Sequence, residues 1–323
     1  MTINGISVSV AVVTANRCPM LEACLASLSR GDYPISELLI LDNASSDGTP
    51  DLVRSKYPRA RYVRNERNMG LTHCHNQALN LFSADCVFLL DDDNEVAPTM
   101  LRLLVEHLYA PGNERLGIVV PVICQYQVPD GFELGGCRTS MWSGRTVLQS
   151  ARIDARNIYH ETKRVPNSTL ISRACVNRFG VLDERFFSTL ADEDYVRRMN
   201  RAGWVAHVVL AARVYHKVRF NAPLVRRAGF TNPARAYIIA RNRTILIRRY
   251  ARWYQFLVYI LIWMPWYTSL YGGILLVFVR KWSYISAYVK GCADAWRYIF
   301  TGYFAPLDRV LSLLDEPRTP TAP

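Results

Sequence analysis

Acid is what this chain withholds from its second half. From Tyr195 to Ala293 there is no Asp or Glu, although the same stretch carries 17 Arg or Lys. Of the 27 acids, 23 lie between Glu22 and Asp194, and the other four are Asp294, Asp308, Asp315 and Glu316. The two halves therefore have different electrostatic tasks. The eight cysteines form no CxxC pair and no dense cluster, which argues against a secreted disulfide scaffold or a zinc site and for a reducing compartment. No Gly or Pro period occurs and aromatics make up 11%, so a collagen-like or disordered chain is excluded. No basic region, apolar core and small-residue cleavage site precedes the first apolar segment, Ser7 to Thr14, so a cytosolic placement is expected.

What is present is a chain of 323 residues, 50% hydrophobic and 20% charged, with a formal charge of +12. That length fits one large or two modest domains with a sizeable core. Arg226, Arg227, Arg235, Arg241, Arg243, Arg248, Arg249 and Arg252 crowd just before an uncharged run of 27 residues, Trp253 to Val279. At ~1.5 Å per residue such a run exceeds the ~30 Å hydrocarbon thickness, so membrane contact is expected. Trp253, Tyr254, Trp282 and Tyr284 suit interfacial belts, and the arginines suit a cytoplasmic flank facing anionic lipid. Arg280, Lys281, Lys290 and Arg297 make the other flank basic too, so a full span, a re-entrant hairpin broken at Pro265 or Gly272-Gly273, and a buried helix pair all stay open. Trp282 to Phe300 has the pattern of an interfacial amphipathic helix.

Residues 1 to 122 alternate between short strands and helices. Ser7 to Thr14, Leu38 to Asp42, Arg61 to Asn65, Cys86 to Leu90 and Ile118 to Val122 are the expected strands. Met20 to Ser29, Thr49 to Lys56, Thr72 to Phe82 and Pro98 to Leu108 have helical spacing, with Thr49 and Pro50 as N-cap and first helical residue. This rhythm predicts an α/β fold with a mostly parallel, Rossmann-like sheet and flanking helices, whose ligands collect at the carboxyl ends of strands.

Those strand ends carry the polar residues: Thr14-Ala15-Asn16-Arg17, then Asp42-Asn43 to Asp47-Gly48, then Asp91-Asp92-Asp93-Asn94. Three successive aspartates repel one another when ionised. A divalent cation relieves this, and hard carboxylate oxygens favour Mg2+ or Mn2+ with open positions for substrate phosphates. A solvated acidic loop before Pro98 is the plainer alternative. Asp42 and Asp47 bracket a turn-forming set able to accept from a base or ribose, a composition also common in ordinary βα loops. Asn68-Met69-Gly70 opens a helix whose N-terminus suits a phosphate or carboxylate. Asp192, Glu193 and Asp194 occupy the first turn of a helix ended by Gly203, either as caps or as a base facing the cleft. His216 closes the apolar strand Val205 to Tyr215, and a lone His there is more often a surface or core residue than a ligand.

Taken together these segments resemble the family 2 inverting glycosyltransferases of the GT-A fold. The resemblance rests on Thr-Ala-Asn-Arg at 14–17, Leu-Asp-Asn-Ala-Ser-Ser-Asp-Gly-Thr at 41–49, Asn-Met-Gly-Leu at 68–71 with Asn76, Leu-Leu-Asp-Asp-Asp-Asn at 89–94 and Leu-Asp-Glu-Arg-Phe-Phe at 182–187. It covers roughly residues 5 to 250, and Asn232 to Arg243 before an apolar run is similar to the membrane-associated, rhamnosyltransferase-like members. The resemblance implies that Thr14, Asn16, Arg17, Asp42, Asn43, Asp47, Asn68, Gly70, Asn76, Asp91 and Asp92 bind the donor, with Asp42 on the nucleotide base. It implies Asp91 and Asp93 as the ends of a DxD motif that holds metal and sugar diphosphate, completed by His216. Asp192 matches the general base, and Asn167, Ser168, Asp194 and Arg198 match acceptor-side positions. Ala191 stands where the family's Glu is usual, and Asn167-Ser168 where Asn-Gly is common, so Glu193-Asp194 could supply the acidic pair instead.

The organisation this implies is a nucleotide-sugar-binding half at 1–122 and an acceptor-side half at 123–230, followed by a basic juxtamembrane helix at 231–252. Membrane-associated hydrophobic and amphipathic helices at 253–300 and a tail at 301–323 complete it. The expected activity is metal-dependent transfer of a sugar from a nucleotide sugar to a lipid-linked glycan or other envelope acceptor, with the catalytic domain facing the cytoplasm. A polyprenyl-phosphate hexose synthase and an inactive membrane-anchored nucleotide-sugar binder are the alternatives. Nucleic acid is not an expected partner, because the basic stretch runs into an apolar segment and no stacking or helix-turn-helix signature accompanies it.

Overall fold

The computed structural model describes residues 5–128, 133–150, 158–165, 168–217 and 230–314. The chain divides into two compact units. The first comprises Met1–Arg138, Val147–Leu182 and Asp192–Val218; the second comprises Thr139–Thr146, Asp183–Ala191 and Arg219–Pro323.

The first unit is built on β1 (Val8–Thr14), whose seven residues are all buried, as a strand covered on both faces requires. β2 (Glu37–Asp42) and β3 (Arg61–Arg64) extend the sheet on one side and β4 (Cys86–Asp91) on the other, all parallel. The crossovers α1 (Cys18–Ser29), α2 (Thr49–Lys56) and α3 (Leu71–Leu81) cover it. Leu21, Cys24, Leu25 and Leu28 of α1 recur at helical spacing and pack onto Val10, Val12 and Phe88. Beyond β4 the order continues with β10 (Ser168–Ser172), β6 (Leu116–Gln125), β11 (Val205–His216) and β5 (Asn94–Val96). β6 and β11 are parallel, while β10 and β5 are antiparallel to their neighbours. β7 (Glu133–Thr139), β8 (Thr146–Ser150) and β9 (Tyr159–Glu161) add short antiparallel pairings, and α4 (Met100–Leu108), α5 (Arg173–Phe179) and α6 (Ala191–Arg201) complete the unit.

The expected strands and helices of residues 1–122 are all present, with ends moved by a few residues. One cap differs. Gly48, not Thr49, is the N-cap of α2, because the Asp47 carboxylate reaches forward and accepts from the Thr49 amide at 3.0 Å. Register sets the site: Thr14 lies beside Asp42, Val13 beside Asp91, and His216 opposite Asn94.

The second unit is helical. Asn232 caps Pro233–Tyr250 by accepting from the Arg235 amide at 2.8 Å, with Pro233 at the first helical position. Trp253–Val279 follows as one unbroken helix, of π geometry at Tyr259–Trp263 and Leu275–Val279, and Arg280 in the left-handed region (φ +52°) ends it. Pro265 and the Gly272-Gly273 pair therefore do not break the run into a hairpin: Pro265 sits where the π segment has just passed into α-helix, and the glycines are absorbed in mid-helix. The helix is long and apolar enough to cross a membrane by length and composition. Its inner face packs along the other helices, with Tyr259 and Met264 against Ile247 and Ala295, and Ile274 and Leu275 against Ala236 and Tyr288. Its outer face leaves Trp253, Leu261, Ile262, Trp266 and Phe278 exposed. Trp282–Thr301 crosses the basic helix so closely at Gly291 that a Cβ there would meet the Tyr237 carbonyl oxygen, which is why the position has no side chain.

The arginine crowd is not one lipid-facing surface. Arg241 is wholly buried and donates to Asn242 Oδ1, the Tyr237 hydroxyl and the Arg185 carbonyl. Arg249 pairs with Asp183 at 3.0 Å and Arg243 is stacked on tyrosines, whereas Arg248 and Arg252 are exposed. Arg226 and Arg227 lie outside the described residues.

Candidate active site

All the described residues with an expected site role fall in the first unit. β4 delivers Asp91 to the end of the parallel sheet, and Asp92 and Asp93 turn the chain into β5. The three carboxylates have three different surroundings. Asp92 is tied on both oxygens, accepting from Thr14 Oγ1 at 2.7 Å and from Arg17 at 3.1 Å. Burial lifts its carboxyl to about 6, against the opposing pull of Thr14 and Arg17. Asp93 accepts from Arg17 at 3.0 Å through one oxygen, and its other oxygen lies 3.7 Å from His216 Nε2. Asp91 Oδ1 is shielded from solvent, meets no hydrogen-bond partner among the described residues, and lies 3.5 Å from His75 Nε2. Burial pushes the Asp91 carboxyl up, and His75 draws it part of the way back.

This corrects the electrostatic argument drawn from sequence. A divalent ion is not the sole means of holding the triplet, because the half-exposed Arg17 bridges Asp92 and Asp93 and two histidines face the outer acids. Among the described residues no three His, Cys, Asp or Glu side chains converge as a preformed metal cage. What the site offers is a pair of carboxylates with one buried, unsatisfied oxygen. That donor set suits a hard cation that keeps several waters or substrate oxygens.

The loops after β1, β2 and β3 form a hydrogen-bonded rim. Asn16, in the left-handed region (φ +55°), accepts from the Ser46 amide at 2.7 Å, and its own amide donates to Ser45 Oγ at 2.9 Å. Asp42 is fully buried and accepts from the Ser45 amide at 2.8 Å and from the Tyr62 hydroxyl, with Arg64 at 3.5 Å. Asn43 donates to Asn68 at 2.8 Å and accepts from the Met69 amide at 2.8 Å, so the second and third loops are laced together. Asp47 accepts from the amides of Cys18 and Thr49; burial alone would raise its carboxyl, and those bonds outweigh it and hold it low. Gly70 takes φ +87° at the start of α3, a conformation strained for any residue with a Cβ. Asn76 clamps the Leu182 backbone on both sides, at 2.9 Å to its N–H and its carbonyl.

The acid-rich turn of α6 sorts itself by partner. Glu193 is buried on Arg197 at 2.7 Å. Asp194 is buried against Arg198 at 3.3 Å, and that guanidinium also donates to the carbonyls of Phe179 and Val181 at 2.8 Å. Asp192 keeps a side chain 25% exposed and faces Arg164 at 3.3 Å. Burial raises the Asp192 carboxyl, Arg164 opposes the rise and Glu193 adds to it. Ser168 begins β10 opposite Leu90, and its buried hydroxyl has no partner among the described residues. Asn167 lies outside the described residues.

Three contacts were not foreseen: His75 at Asp91, Tyr62 at Asp42 and Arg164 at Asp192. His75 had a signal, since it precedes Asn76 in the helix opened by the Asn-Met-Gly segment. Tyr62 and Arg164 had none, because their partners are set by sheet register and by chain folding 28 residues apart.

A sheet of this order, with acids at the end of β4 and polar loops above β1 to β3, is the GT-A arrangement of nucleotide-sugar-dependent transferases. Residues 9–134 match glycosyl transferase family 2. That match and the relatives below are to transferases, and the chain is a transferase. It is 27% identical over 235 residues, 64% of this chain and 75% of the relative, to N-acetylglucosaminyl-diphospho-decaprenol L-rhamnosyltransferase of Mycobacterium tuberculosis, in agreement with the rhamnosyltransferase-like branch. Two solved structures share the fold. The mannosyltransferase PcManGT of Pyrobaculum calidifontis, in complex with GDP-Man and Mn2+, has a TM-score of 0.55 at 19% identity, covering 96% of this chain and 80% of that one. TarS 1-349 of S. aureus, in complex with UDP-GlcNAc, has a TM-score of 0.57 at 16% identity, covering 95% and 84%.

Proposed function

We propose that this protein is a membrane-associated, metal-dependent, inverting glycosyltransferase that moves a sugar from a nucleotide sugar to a lipid-linked glycan acceptor at the cytoplasmic face of a membrane. The observation that carries the reading is the buried, unsatisfied oxygen of Asp91 at the carboxyl end of a parallel strand, two residues from Asp93 and flanked by His75 and His216. Asp91 and Asp93 would hold Mg2+ or Mn2+, with His216 beside them; when bound, that ion neutralises charge on the departing nucleoside diphosphate. The loops around Asp42, Asn43 and Asn68 hold the nucleoside. Asp192, of the three acids in α6 the one with an open side chain, accepts the acceptor hydroxyl's proton as that oxygen attacks the anomeric carbon from the face opposite the leaving group. Arg164 favours the ionised form of Asp192, against the burial that raises its carboxyl.

The lipid-linked acceptor is supported by the mycobacterial relative, whose name places its substrate on a diphospho-decaprenol. Membrane contact is supported by the apolar outer face of Trp253–Val279 together with exposed Trp282 and Phe300. Association is interfacial rather than spanning: the inner face is packed along its length on helices that carry Arg248, Arg249, Lys290 and Arg297, charges that the hydrocarbon core excludes. The test is a thermal-shift panel of UDP, dTDP and GDP with and without Mn2+. Stabilisation by one diphosphate that needs Mn2+ and is lost in Asp91→Asn supports the reading. Stabilisation indifferent to both metal and Asp91 overturns it.

A further inference from the structure

The second unit holds a cavity of about 730 Å³ that no part of the transfer chemistry uses. Arg145, from the Thr139–Thr146 segment, and Arg243, from the basic helix, line its polar end with Tyr267 and Tyr271. Arg243 lies flat on Tyr267, 3.9 Å from the ring centroid, and donates to the Tyr271 hydroxyl at 3.2 Å. Gly144 allows this seat: at φ +69° it brings the segment so close that a Cβ would come within 2.7 Å of the Arg243 side chain. Among the described residues no carboxylate pairs with Arg243, and the 99 residues around it contain no acid. The Tyr267 hydroxyl is shielded from solvent and likewise has no partner among the described residues. A guanidinium fixed between rings with donors left over is a receptor for a phosphate. The rest of the wall is apolar, with Ile262, Trp266 and Leu270 from the outer face of Trp253–Val279, so the ligand also bears hydrocarbon.

We propose that this cavity binds the phosphorylated head of a polyprenol, its phosphate or diphosphate on Arg243, Arg145 and the two tyrosine hydroxyls and its first isoprene units along Trp266 and Leu270. The assignment rests on the lipid-linked acceptor reading and names the part of the chain that holds the acceptor's stem. A narrow apolar wall of Ile262, Trp266 and Leu270 leading to Arg243 and Arg145 fits one hydrocarbon chain with a phosphate at its end, whereas a two-chain phospholipid is held well enough by a flat basic, aromatic surface.

Trp263 and Trp266 line the cavity and supply the readout. Full-length protein in neutral detergent is titrated with farnesyl diphosphate, undecaprenyl phosphate, inorganic pyrophosphate and phosphatidylglycerol, following tryptophan emission. The two prenyl ligands are expected to bind, with Arg243→Met weakening both by at least about 10-fold, the worth of one charge-assisted contact. Trp266→Ala, at an exposed position that folding does not need, should weaken prenyl ligands and leave pyrophosphate unchanged. Prenyl ligands that bind Arg243→Met as tightly as the native protein, pyrophosphate that matches farnesyl diphosphate, or phosphatidylglycerol that displaces undecaprenyl phosphate at equal concentration would each overturn the proposal. The Mn2+-dependent nucleotide shift is measured on the same variants. Its retention in Arg243→Met confirms a folded protein, and its absence from the native protein would count against the transferase reading while leaving prenyl binding to be judged by its own titration.

Discussion

Replacing Asp192 by Asn keeps the side chain's shape and removes the charge. If Asp192 is the base, turnover should fall by ~10² to 10⁴-fold, the usual worth of general-base help, which is about 2.7 to 5.5 kcal/mol of activation free energy. Nucleotide affinity should hold, since the rim around Asp42, Asn43 and Asn68 is untouched. Asp194→Asn is the matched control. Asp194 is buried against Arg198, which braces the carbonyls of Phe179 and Val181, so its loss removes a charge-assisted bond inside the scaffold. That costs about 1.5–3 kcal/mol of stability, a fall in melting temperature of roughly 3–12 °C for a domain of this size. The assay pairs kcat and KM, from nucleoside diphosphate release with a polyprenyl-diphosphate-linked acceptor, with a thermal melt of each variant. Native turnover in Asp192→Asn alongside a dead but fully stable Asp194→Asn would refute the assignment and move the base along the helix. Native turnover in both would point to an acceptor that is already an anion and needs no base.

Arg164→Met should move the acid limb of the kcat profile to higher pH. Burial raises the Asp192 carboxyl and Arg164 opposes it, so without Arg164 the base protonates earlier as pH falls; an unmoved limb would show that Asp192 is not the titrating group. Gly70→Ala forces a Cβ into φ +87° and should cost about 1–2 kcal/mol, a drop of roughly 2–8 °C by differential scanning calorimetry; an unchanged melt would mean the loop relaxes without strain. Arg17→Met removes the cation that bridges Asp92 and Asp93, so the melting-temperature gain from Mn2+ should exceed that of the native protein, and equal gains would mean that Arg17 does not compete for those acids.

The parallel half of the sheet was legible because its strands are unbroken apolar runs that end in polar residues. β1 reads Val-Ser-Val-Ala-Val-Val-Thr, and being buried on both faces it needs no alternation. β5, β9 and the antiparallel β10 were not read: they span three to five residues, too few for a period, and their pairing is decided by strands far away in the chain. The acids at 91–93 and 192–194 were legible as clusters, but their division of labour was not, since which carboxylate meets which arginine is settled only by tertiary contacts. The same limit applied to the basic helix. Eight arginines before an apolar run look alike in sequence, yet Arg241 is sealed inside, Arg249 pairs with Asp183 and Arg243 faces a cavity.

The triplet at 91–93 shows why the spacing of the two outer acids matters more than the count of three. Asp92 is spent on structure, since one oxygen closes onto Thr14 at the end of β1 and the other onto Arg17, which fixes the turn against the neighbouring strand. Asp91 and Asp93 each keep an oxygen within 3.7 Å of a histidine, His75 from α3 for one and His216 from β11 for the other. Asp93 Oδ1 also accepts from Asn94 Nδ2 at 3.2 Å, whereas Asp91 Oδ1 has no hydrogen-bond partner among the described residues and so stays available to a stronger cation or to a protonated ligand group. Arg17 sits half-exposed across Asp92 and Asp93, and Asp92 has Thr14 as a second partner. Like-charge repulsion alone therefore does not require a metal here. Under the proposed transfer reaction a requirement would come from chemistry instead, because a departing diphosphate would bring charge that two histidines and one shared arginine do not balance.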